Sequence, residues 1–207
     1  VKILAVSDVV LPQLQDPGYV RRTFGEAELL ISCGDMSPSY LEFISTALNL
    51  PLFFVRGNHD ERYVEQHPGG DNLHKRIKVF RGFSFAGLEG SINYNQGKVQ
   101  YTETQMFTNV LWMLPRLLLM RSMRGYGVDV LMAHSPPLNI HDLRDDRAHR
   151  GFRSFRYLMQ WACPRFFLHG HVDTWDNRKP TETIYHKTTV INVNPYKLLT
   201  LDKESHK

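Results

Sequence analysis

Apolar residues in this chain come in short unbroken runs, and each run is closed by a polar residue with chemistry to offer. Lys2 to Ser7 is the first, the pattern of a strand covered on both faces, and Asp8 stands at its end. Ala27 to Cys33 repeats the pattern and delivers Gly34-Asp35. Leu52 to Val55 delivers Gly57-Asn58-His59-Asp60, Val128 to Ala133 delivers His134, and Arg165 to Leu168 delivers His169-Gly170-His171-Val172-Asp173. Between the second and third runs, Tyr40 to Leu50 has the spacing of an amphipathic helix, with helix-start chemistry in Ser37-Pro38-Ser39.

The remaining segments follow the same logic. Val9 to Gly25, with Pro12, Asp16-Pro17-Gly18 and Arg21-Arg22, predicts a loop or a broken short helix. Ile77 to Phe80, the turn Arg81-Gly82 and Phe83 to Gly87 predict a hairpin. A long helix is expected from Thr102 to Arg124, opened by a capping box of Thr102 and Gln105 and kinked or split by Pro115. Phe152 to Ala162 is a further helix. Thr181 to Tyr185, Thr188 to Val193 and Leu198 to Leu201 are β-type runs suited to a second sheet or its edge.

In an open α/β sheet, functional groups gather outside the carboxyl ends of the strands. Asp8, Asp35, Asn58, His134 and His171 should therefore meet at one edge. Three of those ends also carry a glycine, Gly34, Gly57 and Gly170, which lets the backbone turn sharply and come close to an ion or phosphate. Singly, such residues are turn formers or hydrogen-bonded core histidines; the five together read as a site. Carboxylates, imidazoles and an amide without thiolate suit Mn, Fe, Zn or Mg and not a structural zinc. Two such divalent ions bridged by a carboxylate can clamp a phosphoryl group and hold a hydroxide for attack on phosphorus.

Bulk properties narrow the picture. The chain has 207 residues, 42% hydrophobic and 22% charged, enough for one domain with a full core. The longest greasy region, Val110 to Met120, is broken by Pro115 and Arg116 and falls short of the ~20 apolar residues of a membrane span. The first residues enter a strand directly, without the basic and apolar regions of a secretory signal; a cytoplasmic location is expected. Cys33 and Cys163 sit in apolar runs, so no disulfide framework is expected. A net charge of +4 suits an anionic substrate and does not by itself point to nucleic acid.

The ordered blocks Asp8-Val9-Val10, Gly34-Asp35, Gly57-Asn58-His59-Asp60, His134 and Gly170-His171-Val172-Asp173 resemble those of the calcineurin-like metallophosphoesterases, D-x-H, G-D, G-N-H-[DE], H and G-H-x-H. The resemblance implies an α/β fold, a four-layer α/β/β/α sandwich of two mixed sheets with helices outside, over residues 1–207 as a single domain. It also implies that Asp35 bridges two metals while Asn58, His134 and His171 complete one metal site. The second site would fall to Asp8, Asp35 and Asp173, because Val10 and Asp173 stand where the family has histidines; such an all-oxygen site favours Mg or Mn, held weakly. Asp16 is a candidate substitute ligand. His59 matches the family's general acid, and imidazole titrates in the right range for that work.

The expected activity is metal-dependent hydrolysis of a phosphomonoester or phosphodiester on a phosphorylated small molecule or nucleotide. The alternative is a catalytically degenerate binding or scaffold protein on the same fold, and Val10 and Asp173 favour it. A nuclease is a third reading, without the long basic stripe interleaved with aromatics that single strands use. Outside the blocks, the loop from Asn139 to Gly151 carries Arg144, Arg147 and Arg150; it reads either as a solvated, internally paired loop or as a source of phosphate contacts, with Arg150 and Asn58 assigned to substrate. Asn93, Tyr94 and Asn95 are specificity residues or turn formers. His169 reads as a buried, hydrogen-bonded residue and not as a ligand. The apolar helix 103–124 is a candidate homodimer face, ahead of a peripheral membrane contact.

Overall fold

A computed structural model describes residues 1–174, 176 and 180–203. In chain order the elements are β1 (Lys2–Val6), α1 (Pro17–Phe24), β2 (Leu29–Ser32), α2 (Pro38–Leu48), β3 (Leu52–Phe54), β4 (Asp71–Asn72), β5 (Ile77–Phe80), β6 (Phe83–Leu88), β7 (Ser91–Ile92), β8 (Gln100–Tyr101), α3 (Glu103–Arg124), β9 (Val130–Ala133), α4 (Arg153–Ala162), β10 (Phe166–His169), β11 (Glu182–Tyr185), β12 (Thr188–Asn192) and β13 (Tyr196–Thr200). Two short 3-10 turns, Pro12–Gln15 and Asp60–Val64, complete the set.

The strands form two large sheets and a small ribbon. The first sheet runs β13-β1-β2-β3-β4 and the second β11-β12-β10-β9-β6-β5, while β7 pairs with β8. Both large sheets are mixed. β1, β2 and β3 are parallel with β13 antiparallel at the edge, and β12, β10, β9 and β6 are parallel with β11 and β5 antiparallel at the two edges.

Period-2 alternation explains why the runs are apolar throughout: each strand serves two cores. Ile3, Ala5, Leu29, Ile31, Phe53 and Val55 point between the sheets, where they meet Phe85, Val130, Met132, Leu168 and Ile191 of the second sheet. The intervening Leu4, Val6, Leu30, Leu52 and Phe54 pack outward on Tyr40, Leu41 and Ile44 of α2 and on Val20 and Phe24 of α1. Ala86, Leu131, Phe167 and Val190 pack outward on Met106, Val110, Met113 and Leu117 of α3 and Phe155, Leu158 and Met159 of α4. Three apolar interfaces thus separate four layers, helices outside and sheets within, as the resemblance implied.

Local chemistry places the helices. Ser37 caps α2, its hydroxyl accepting from the Tyr40 amide at 3.3 Å, and Asn49 ends it in a left-handed conformation. The Thr102–Gln105 capping box forms. The segment after β1 is more ordered than its turn residues suggest, because Asp16 caps α1 by accepting from the Tyr19 amide and Pro17 takes the first helical position. Asp16 is therefore occupied as a helix cap. Pro115 does not split α3, which is one helix of 22 residues. Pro115 and Leu111, whose carbonyl the missing N–H leaves free, are both exposed, so water can satisfy that carbonyl. The last β-run joins the first sheet rather than the second, as the edge strand beside β1.

Candidate metal centre and its surroundings

Four ligand-type residues converge beyond the carboxyl ends of β1, β2, β9 and β10. One ligand atom from each of Asp8, Asp35, His134 and His171 lies within 4.8 Å of every other. A cation about 2.2 Å from each ligand spans at most about 4.4 Å between opposite ligands, so a slight contraction brings all four onto one ion. The backbone makes the convergence possible. Asp8, Asp35 and His171 hold φ values of 64°, 55° and 68°, the left-handed region that non-glycine residues enter rarely and that Asp and His tolerate best. Each chain segment thus turns off its strand within one residue and aims its side chain back at the others.

Hydrogen bonds fix which atoms face inward. His134 donates from Nδ1 to the Cys33 carbonyl at 2.9 Å, which leaves Nε2 3.0 Å from Asn58 Oδ1 and 3.3 Å from Asp35 Oδ2. His171 donates from Nε2 to the Ala148 carbonyl at 2.7 Å, leaving Nδ1 with a lone pair. Asp8 Oδ2 accepts from the His171 amide at 2.8 Å, and Asp35 Oδ1 accepts from the His59 amide at 2.8 Å. Carboxylate, amide and imidazole acceptors crowd one point, an arrangement that needs either a cation or a proton on His134. The donor set fits a divalent metal of the Mn, Fe, Zn or Mg kind.

Electrostatics agree. Burial works against a charged His134, yet the adjacent Asp35 carboxylate, its hydrogen bond and Asp8 raise its pKa to about 9. Asp35 is itself buried, but His134 and the His59 amide hold its carboxyl well below the usual carboxylate range. Burial and the charge on His134 keep His171 neutral, with its pKa lowered to about 3, the form a ligand needs.

These shifts fix the signs of two pH effects. The raised pKa of His134 gives metal-free protein stability that is fully present below its ordinary value of 6.5 and lost as pH rises through about 9. Metal must displace the same proton. Without metal, the thermal midpoint should fall as pH is raised from 6.5 to 9; with excess Mn²⁺ the fall should vanish or reverse. Apparent affinity should rise by about tenfold per pH unit over that range, read by titration calorimetry in buffers of different ionisation enthalpy. A flat midpoint in metal-free protein would refute the His134–Asp35 assignment.

The other sequence-predicted residues fall as follows. Asn58 is buried; its Oδ1 faces His134 and its Nδ2 donates to the Tyr94 hydroxyl at 3.2 Å. His59 is exposed at the mouth, tied in by its backbone. Asp173 stands outside the four-residue cluster, exposed, with Oδ1 accepting from Asn194 Nδ2 at 3.3 Å. Val10, at 41% exposure, follows Asp8 on the surface. Arg150 is exposed and donates from Nε and Nη2 to the Arg144 carbonyl. His169 is buried and accepts from His141 at 2.9 Å.

A family model for the calcineurin-like phosphoesterases matches residues 1–175. The chain belongs to the calcineurin-like phosphoesterase family. Among solved structures, the protein TT1561 of Thermus thermophilus is similar over 93% of this chain and 88% of its own, at 17% identity and a TM-score of 0.63. A conserved uncharacterized protein of Streptococcus pneumoniae TIGR4, a predicted phosphoesterase, aligns over 93% of this chain and 71% of its own at 13% identity and a TM-score of 0.40. Comparison with curated proteins found no match. At such identities the first likeness concerns the fold, and the family assignment rests on the sequence model.

Within this family member, two supporting groups escaped sequence reasoning. Asp60 closes the G-N-H-D block, and its Oδ2 accepts from the Asp35 amide at 2.7 Å and the Gly57 amide at 2.8 Å, so one carboxylate locks two strand ends together. Burial and the nearby Asp35 raise its pKa to about 6. Glu89 pairs bidentately with Arg56 at 2.8 and 2.7 Å, accepts from the Tyr101 hydroxyl and braces the start of the same block. Its signal is in the sequence: Glu89 follows the apolar strand β6 and precedes Gly90, the pattern that marks the other ends.

Proposed function

We propose that this chain hydrolyses a phosphomonoester or phosphodiester with the help of a divalent metal. The observation that carries the proposal is the meeting of Asp8, Asp35, His134 and His171 within 4.8 Å, with Asn58 Oδ1 on the same point. In this reading those five residues would hold the metal, and Asp35 would be shared with a second ion. Asp173 would serve a second ion only by turning from Asn194. When bound, the metal supplies Lewis acidity toward a phosphoryl oxygen and a water acidified toward neutral pH. The chain's own residues do the rest. His134 and His171 donate from their outer nitrogens and present the inward ones to the centre, that of His134 once its proton is displaced. Asp60 holds the loop that carries His59, and His59 gives a proton to the leaving oxygen at the open face. Arg150 offers a cationic contact to the substrate.

Metal content, together with hydrolysis of aryl phosphate mono- and diesters with Mn²⁺, tests this reading. His59→Ala should lower kcat on the order of 10²-fold or more for a poor leaving group, with less effect on an activated aryl ester whose leaving group needs no proton. Metal-loaded wild type that is no faster than His59→Ala on either ester would remove the enzymatic reading. The exposed Val10, where the family has a ligating histidine, favours the second reading, a fold kept for binding. Full metal affinity with no turnover is the outcome that supports it.

A further inference from the structure

The loop from Asn139 to Gly151 carries three arginines, Arg144, Arg147 and Arg150, and three aspartates, Asp142, Asp145 and Asp146, yet the two sets do not pair with each other. Elsewhere, Arg56 pairs with Glu89, Arg81 with Glu28, and Arg124 and Arg165 with Asp129. Among the described residues, Arg144, Arg147, Arg150 and Arg153 pair with no carboxylate, as do seven arginines on other segments; what sets these four apart is that they lie around two adjoining hollows. The cause lies in how the local acids are used. Asp142 accepts from the Asn139 and Gly151 amides, and Asp146 from the Ala148 amide and His149. Glu103 accepts from the Arg153 and Ser154 amides at the start of α4. Turning any of them toward a guanidinium would strand backbone donors. Asp145 alone stands near the arginines without such a bond to backbone.

These arginines line two adjoining hollows. One, of about 550 Å³, is bounded by Arg144, Arg150 and Arg153, with Asp145 on its wall. The other, of about 450 Å³, is bounded by Arg147, Arg150 and Tyr94. Ile92, Glu103 and Arg150 belong to both. Each volume falls in the range of about 300–1,000 Å³ that admits a small ligand. The hollows adjoin the candidate metal centre at two points: the Tyr94 hydroxyl takes the Asn58 Nδ2 hydrogen bond, and Ala148, between Arg147 and Arg150, takes that of His171. The Arg144 carbonyl holds the Arg150 guanidinium at the boundary through Nε and Nη2.

We infer that this cleft receives a second phosphate-like anion of the substrate, so that the substrate class is a small bis-anionic phosphoester. The scissile phosphoryl group sits at Asp8, Asp35, His134 and His171, and the second anion sits among Arg144, Arg147 and Arg150. The inference rests on the phosphoesterase reading for the first group and on the arginines alone for the second. Planar guanidinium groups suit phosphate because they bind its oxygens in pairs. Glu103 and Asp145 interrupt the basic surface, which favours a compact ligand over a polymer strand.

The test compares 4-nitrophenyl thymidine 5′-phosphate with and without a 3′-phosphate, using full-length Mn²⁺-loaded protein. In wild type the 3′-phosphate should raise kcat/KM at least about tenfold, the worth of one charge-assisted hydrogen bond. In Arg144→Gln/Arg147→Gln that ratio should fall to about one. Both side chains are exposed, and circular dichroism should show an unchanged fold. A second arm titrates inorganic tripolyphosphate into metal-free protein, where the double variant should bind at least about tenfold more weakly. Turnover of both esters at equal kcat/KM by wild type overturns the inference and leaves the phosphoesterase reading standing. Turnover of neither, with tripolyphosphate binding still dependent on the arginines, keeps the cleft and removes the phosphodiester half of that reading. Tripolyphosphate binding unaffected by the substitutions overturns the cleft in either case.

Discussion

Asp35→Asn should strip the protein of its metal, with affinity falling on the order of 10²-fold or more and turnover of any phosphoester falling with it. The size follows from position. Asp35 is the one carboxylate that touches both halves of the centre, with Oδ2 3.3 Å from His134 Nε2 and Oδ1 2.8 Å from the His59 amide. Losing an outer hydrogen-bond partner of a ligand already costs 10- to 100-fold in affinity, roughly, and a ligand that also supplies the charge should cost more. Asparagine keeps an acceptor for the His59 amide, so the loop should stay in place and the loss should be read as charge rather than as unfolding. A second readout separates the two. Asp35 is the main support of the His134 charge against burial, so the variant's metal-free thermal midpoint should lose its fall between pH 6.5 and 9. Metal content by mass spectrometry and midpoints across pH check both; retained metal at wild-type stoichiometry would refute the role given to Asp35.

Sequence alone reached the parts of this centre that depend on strand ends and missed those that depend on contacts between ends. Asp8, Asp35, Asn58, His134 and His171 each follow an apolar run, and a buried parallel strand can only present such residues at one edge. Asp60 was visible as a motif letter, but its task, holding the Asp35 and Gly57 amides, exists only once β2 and β3 lie side by side. Glu89 carries the same strand-end signal, masked because β6 reads as half of a hairpin. β6 is that half, paired with β5, and it also runs parallel to β9, which brings its end to the same edge. The helix over Pro17–Phe24 was obscured by Asp16-Pro17-Gly18, whose residue types serve turns and helix starts alike. Asp173 shows the limit in the other direction: position in a motif does not say where a carboxylate turns, and here it meets Asn194.

Gly170→Ala should damage stability and metal binding together, for a reason visible in two distances. A Cβ on Gly170 would lie 1.9 Å from Ser7 Oγ and 2.3 Å from Asp8 Oδ2, where contacts below 3.0 Å force something to move. Neither neighbour has room. Ser7 is fully buried and donates to the Gly34 carbonyl at 3.1 Å, while Asp8 Oδ2 is held by the His171 amide. Overpacking of this kind costs about 1–3 kcal/mol, or about 3–10 °C in thermal midpoint for a chain of this size, and metal affinity should drop because Asp8 is one of the two neighbours displaced. Adding Ser7→Ala bears on the two effects: it removes the 1.9 Å clash and leaves the one with Asp8 Oδ2 at 2.3 Å and the one with the Cβ of residue 7 at 2.6 Å, so stability should return only in part while metal affinity does not. Calorimetric midpoints and Mn²⁺ titration of the single and double variants decide it. Recovery of affinity along with stability would trace the damage to Ser7 and remove Asp8 from the set of ligands. Stability without affinity would leave Asp8 as the residue that Gly170 is small in order to admit.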